Sequence, residues 1–265
     1  MLQRFLLFPV PDIDAPRYRL IGANLALRHE GVVNGPGSLK EMVPRTRSPT
    51  PHGRCRFCLR EDVALTREHV FARWLVERLR AWRATHAARG PADAAPDARI
   101  ARLVTNVCGM CNAGWMSTLE VSFRQAVFAK SRPEQIAEPT RRTLSRWFAK
   151  TAMLVADAAH QELVPVEQWP EMTDAIPGGI RVGIARVRRK QQPLDIALEL
   201  AQPDADSPIA RLTSVAVQVD DLVAVVTRRS SVTPATTLWP IRSHVLRWST
   251  LPVVNRLSDL TRVPE

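Results

Sequence analysis

Long apolar runs are the first thing this chain lacks. Nowhere does it approach the ~18–20 consecutive apolar residues of a membrane-spanning helix. Phe5-Leu6-Leu7-Phe8 is cut short by Pro9 and Pro11, and it has neither the length nor the small-residue cleavage site of a signal peptide. The expectation is a soluble, cytoplasmic protein with no membrane partner. Cysteine is scarce: the 265 residues hold 4, at positions 55, 58, 108 and 111. Acid is scarce where base is not. Residues 51–150 carry 18 Lys+Arg against 9 Asp+Glu, whereas residues 151–265 carry 12 against 13. The overall charge of +11 is therefore concentrated on the cysteine-bearing segment. A basic field attracts phosphates and gains from counterion release, so nucleic acid is the expected partner. Arginine far outnumbers lysine, as compositional bias alone would produce, but such a bias would not leave the last 115 residues near neutral.

The cysteines form two C-x-x-C pairs, Cys55/Cys58 and Cys108/Cys111. A two-residue gap lets both sulfurs of one pair face a single ion, and two pairs complete a closed tetrahedral site, the usual holder of structural zinc. Two disulfides or a redox C-x-x-C are the alternatives. The first suits a short secreted chain, and the second needs no second copy.

Around them the periodicity changes along the chain. Residues 1–50 read as a poorly ordered extension, dispensable at least up to Met42, with a Gly-, Pro-, Ser- and Arg-rich linker from Gly31 to Gly53. Val63-Ala64-Leu65 reads as a short strand. Phe71, Trp74, Leu75, Leu79 and Trp82 have helical spacing, with Arg73, Arg78, Arg80 and Arg83 around them. Ala88 to Ala98 reads as a loop and Ile100 to Val107 as a second strand. A helix follows from Asn112, burying Trp115, Met116, Leu119, Phe123 and Val127. Thr140 is expected to cap a long helix buried through Leu144, Trp147, Phe148, Thr151, Leu154, Val155 and Ala158. Glu120, two helical turns past Asn112, could face the site but reads first as a surface carboxylate, and Lys150 could reach phosphate but reads first as a solvated lysine. Alternating runs at 180–187, 194–201, 209–219 and 222–227 read as short-connected strands, with an edge strand from Trp239-Pro240-Ile241 and Val245–Trp248. No catalytic constellation falls in this half. It is read as scaffold, homodimer surface or target-recognition element.

Between and beside the cysteine pairs stand T-R-E-H-V-F, with Glu68-His69, and T-N-V-C-G-M-C-N-A-G-W-M-S-T-L-E, with Asn106 and Asn112. Here the chain resembles the HNH endonuclease family in its zinc-stapled ββα-metal form. The string R-W-F-A-K-T-A-M looks like a second block of HNH-like bacterial and phage proteins. The specific motifs cover about a quarter of the chain. The resemblance implies roles residue by residue. Cys55, Cys58, Cys108 and Cys111 would hold structural Zn²⁺. Glu68 and Asn112 would hold a catalytic Mg²⁺ or Mn²⁺, His69 would be the general base, and Asn106 would brace the histidine loop. Arg67 and Arg73 would meet nucleic acid. The family more often has Asp at the position of Glu68 and His at that of Asn112; asparagine there is a known variant. Residues Phe71 to Arg102 lengthen the loop between the two cysteine pairs.

The expected fold class is α+β: a zinc-stapled ββα-metal core over residues 51–132, then a long helix packed on an antiparallel β-meander over 139–265. The implied activity is metal-dependent hydrolysis of phosphodiester bonds, with DNA the expected polymer. The alternatives are a zinc-stabilised nucleic-acid-binding module that does not cut, and a structural protein whose knuckles brace the β-rich half. If the site is active, Glu68 and His69 must face it together. Neighbouring side chains on a regular strand point to opposite faces, so the chain is expected to twist or leave the strand there.

Overall fold

Alternation and helical spacing divide the molecule into two sheets joined by one long helix. The computed structural model describes residues 51–86, 103–131, 133–188, 194–200, 212–228, 235–242, 244–255 and 257–260. The N-terminal extension and the 88–98 loop lie outside them. The first sheet has the order β1–β2–β3, with β1 at His52–Gly53, β2 at Val63–His69 and β3 at Val104–Cys108. Between β2 and β3 comes helix α1, Arg73–His86. It buries Leu75, Val76 and Leu79, and Arg73, Arg78 and Arg80 lie outside the stripe. Arg78 lies 4.7 Å over the Phe128 ring.

After β3 the chain makes one helical turn, Gly109–Cys111, and then a wider π-helical turn, Asn112–Met116, broken at Gly114 (φ −86°, ψ −113°). Regular helix α2, Ser117–Phe128, follows. Met116, Leu119, Phe123 and Val127 are buried on one face, and Trp115 is half-buried. Helix α3 spans Glu138–Ala158. It starts two residues before Thr140 and is capped by no side chain, because Pro139 in its first turn supplies a φ already set for helix. Lys150, expected in solvent, is fully buried in this helix.

The second sheet has the order β5–β6–β7–β4–β8. Its strands are β4 (Arg181–Val187), β5 (Leu194–Leu200), β6 (Leu212–Val219), β7 (Leu222–Thr227) and β8 (Thr236–Trp239). β5, β6 and β7 are the expected antiparallel meander. β4 crosses to pair with β7, so β4 and β5 are not neighbours. The far edge of β4 pairs antiparallel with β8 and, further along, parallel with β9 (Val253–Val254). Residues 245–248 form no strand; Arg247 makes a lone bridge to Gln135.

Alternation gives this sheet two apolar faces. Val182, Ile184, Val215, Val217, Val219, Leu222, Ala224 and Val226 join the main core with α3. Ala185, Val187, Ala216, Val223 and Val225 form a second cluster with Leu257 and Leu260. The main core is continuous from Cys55 to Leu251 and takes in both sheets. Its centre is aromatic: the Phe123 and Trp147 rings stack with centroids 3.8 Å apart and planes 12° from parallel. No helix among the described residues is long and apolar enough to cross a membrane.

Candidate metal centre

The two C-x-x-C pairs, fifty residues apart in sequence, meet at one end of the first sheet. The four Sγ atoms all lie within 4.8 Å of one another. Cys58 Sγ and Cys108 Sγ are 3.7 Å apart, about the edge of a tetrahedron with metal–sulfur bonds of ~2.3 Å. Backbone geometry holds the knuckles. Cys55 N–H donates to Arg60 O at 2.9 Å and Leu59 N–H to Cys55 O at 3.0 Å, with Leu59 in the left-handed region (φ 57°). Arg56 N–H donates to Asn106 O at 3.2 Å, fastening the first knuckle to β3.

The sulfurs are accepting groups. Cys108 N–H donates to Cys55 Sγ at 3.3 Å and Cys111 N–H to Cys108 Sγ at 3.5 Å. Burial opposes ionisation of Cys55, but the N–H groups of Cys108, Cys58 and Phe57 outweigh it and bring the thiol down to about 7. Burial pushes the Cys58 and Cys111 thiols up. The set can hold a metal ion such as zinc.

At the other end of the same hairpin, register decides which side chains can meet. β2 and β3 pair without interruption from Leu65↔Cys108 to His69↔Val104, so the chain does not leave the strand at Glu68-His69. Residues directly opposite in an antiparallel pair point to the same side. One face therefore carries Thr66 with Val107 and Glu68 with Thr105. The other carries Arg67 with Asn106 and His69 with Val104. Thr105 and Val107 are buried, whereas Arg67, Asn106 and His69 are exposed.

Glu68 and Asn112 come together on the inner face. Asn112 Nδ2 donates to Thr66 Oγ1 at 3.0 Å, and the Asn112 amide lies close enough to the Glu68 carboxyl to favour its charged form. His69 and Asn106 share the outer face as diagonal neighbours. Asn106 gives its backbone carbonyl to Arg56, and its side chain stands in solvent. Arg73 is exposed and ion-paired with Glu77 at 2.7 Å.

The inner face also meets two residues assigned to the surface by sequence. Lys150 Nζ donates to Glu120 Oε1 at 2.6 Å, and Trp147 Nε1 donates to the same oxygen at 2.8 Å. Lys150 is wholly buried, and the Glu120 side chain is 14 % exposed. Glu120 Oε2 is buried with no hydrogen-bond partner among the described residues. Burial pushes the Glu68 carboxyl above the ordinary glutamate range; Lys150 opposes this, Glu120 adds to it, and the Asn112 amide and His69 oppose it. Asn112, Glu120 and Lys150 thus all lie within electrostatic reach of Glu68. The helical stripes carried a signal for it. Lys150 follows Trp147 by three residues and precedes Leu154 by four, inside the buried face; Glu120 precedes Phe123 by three.

No protein-family model matches the chain, and neither a curated protein nor a solved structure does.

Proposed function

We propose that the protein is a metal-dependent endonuclease of HNH type, hydrolysing phosphodiester bonds of nucleic acid, with DNA the first substrate to test. The observation that carries this reading is the approach of Asn112 to Glu68 on one face of a sheet whose other end holds a four-cysteine cluster. Cys55, Cys58, Cys108 and Cys111 would hold Zn²⁺ as a closed structural site, leaving no ligand position for substrate. Glu68 and Asn112 would hold the second cation, and their oxygen donors suit Mg²⁺ or Mn²⁺. When bound, such a cation stabilises charge on the scissile phosphate and on the leaving oxygen.

The protein's own residues supply the rest. His69 stands on the other face of β2 from Glu68, so it would accept the proton of the attacking water only if the end of β2 twists to bring the ring round to the cation side. Asn106, on the same face as His69, would limit how the ring turns. Arg67 and the arginines of α1 would meet the backbone phosphates, as the charge of the 51–150 segment favours.

The split between the faces supports a second reading, a zinc-stabilised module that binds nucleic acid without cutting it. In that reading His69 and Arg67 belong to a binding surface, and the Glu68–Asn112 pair is structural. A plasmid-nicking assay with Mg²⁺ or Mn²⁺, run beside His69→Ala, separates the two. Nicking by the wild type and its loss in the variant, with zinc content unchanged, is the expected result. DNA binding without nicking at any divalent ion would replace the nuclease with the binding module.

A further inference from the structure

We infer that Glu120 is a third oxygen ligand for the divalent cation assigned to Glu68 and Asn112, and that Lys150, from the other half of the chain, is its positioning residue. The inference rests on the cation site proposed above.

Three observations carry it. The first is the uneven use of the Glu120 carboxylate. Oε1 accepts from both Lys150 Nζ and Trp147 Nε1, while Oε2 is buried and accepts from nothing among the described residues. A buried acceptor without a partner is destabilising, and more so when charged, so an oxygen in that position calls for a ligand. Two donors on Oε1 also fix the carboxylate plane, which a metal ligand needs and a surface glutamate lacks.

The second observation is Lys150 itself. Full burial of an ammonium costs several kcal/mol even after relaxation, and it sits in a helix face otherwise built from Leu144, Trp147, Phe148, Thr151 and Leu154. An apolar residue there would pack at lower cost. The lysine makes sense where it orients a carboxylate that must stay charged.

The third is the balance of charge around Glu68. Counted at their formal charges, Glu68, Glu120 and Lys150 sum to a single negative charge. A divalent cation turns that into a single positive charge, the complement of one phosphodiester. Asn112 Oδ1 adds a neutral donor without changing the balance. Asn112 opens the π-helical turn that leads into α2 and Glu120 lies in the first turn of α2, so consecutive elements would present both ligands while α3 holds the second of them in place.

The competing account is a buried ion pair that only stabilises the junction of α2 and α3. The test therefore measures metal binding by the full-length, zinc-loaded protein, using Mn²⁺ titration followed by calorimetry and by the electron-spin signal of free Mn²⁺. Glu120→Gln keeps shape and one acceptor but removes the charge. Glu120→Gln/Lys150→Met removes both buried charges, which keeps the junction foldable if the single variant is unstable. The expected result is one Mn²⁺ site in the wild type, weakened about tenfold or more in both variants, with zinc content unchanged. Wild-type affinity in the folded double variant would overturn the inference and leave the cation site standing on Glu68 and Asn112. No Mn²⁺ binding by the wild type would overturn the cation site and the inference together.

Discussion

The two sheets share one apolar core and are held by different physics. The second sheet has strands β6, β7 and β4 paired on both sides and both faces covered, one by α3 and one by the cluster around Leu257 and Leu260. The first is three short strands, and the end that carries the cysteines has four sulfurs where a core would have side-chain carbon. Burial alone can build the second. The first brings together four sulfurs that could hold a metal ion, and this difference sets where the molecule is expected to be vulnerable.

The largest expected effect follows directly. Cys108→Ser removes one of four thiolates, and structural zinc is worth about 10–16 kcal/mol of folding free energy in zinc-finger peptides near neutral pH. Hydrogen exchange should show β2, β3 and α2 losing protection while β4, β6 and β7 keep most of theirs, with zinc absent by elemental analysis. Equal loss in both sheets would mean that the shared core makes them one cooperative unit. Acid should act as the mutation does. Metal binding needs thiolates, and Cys55 at about 7 is the readiest to ionise while burial raises Cys58 and Cys111. Falling pH therefore adds proton competition at every sulfur, and zinc affinity should weaken steadily below neutrality. Affinity flat with pH would exclude thiolate ligation.

The core between the sheets comes next. Phe123 is fully buried and stacked on Trp147, so Phe123→Ala should cost about 3–5 kcal/mol by lost burial and the cavity left behind. Denaturant melts of metal-loaded protein followed at several wavelengths would measure it. Two resolved transitions in the variant, against one in the wild type, would show that this stack is what couples the sheets.

Lys150→Met sharpens the comparison at the polar junction. It leaves the Glu120 carboxylate buried without its counter-charge, for an expected loss of about 3 kcal/mol. Adding Glu120→Gln should return much of that loss. A single variant as stable as wild type would show that Glu120 is already neutral in the fold.

How much of this was legible in the sequence follows the same division. Strand β7 and the short connection leading into it could be read from alternation, because a sheet strand advertises its faces residue by residue. The cysteine cluster was legible because thiol spacing constrains one ion whatever the fold. The crossing of β4 to β7 was not, since alternation says which face a residue takes and nothing about which strand lies beside it. Lys150 and Glu120 were misplaced for a related reason. A charged residue inside an apolar stripe reads as surface until its partner is known, and that partner lay 30 residues away on another helix. The placement of Glu68 and His69 on opposite faces was decided by a ladder that runs unbroken through both, which no local pattern could foretell.

The smallest expected effect tests whether charge or packing joins the first knuckle to the sheet half. Arg56 pairs with Asp157 at the end of α3, and its guanidinium also lies 4.8 Å over the Trp169 ring. The paired side chains are 39 % and 33 % exposed, so solvent screens the pair and Asp157→Ala should cost under about 1 kcal/mol. Arg56→Ala loses the same pair and also the cover over Trp169, whose ring packs on Phe57 between the two cysteines of the first knuckle. It should therefore cost more than Asp157→Ala, and the excess should persist in high salt, which weakens the ion pair and leaves the packing. Thermal melts of both variants and the double mutant, at low and high salt, give the two contributions separately. Equal losses that vanish together in salt would make the junction an electrostatic latch, and the packing of Arg56 on Trp169 would then contribute nothing to holding the metal end against the sheet.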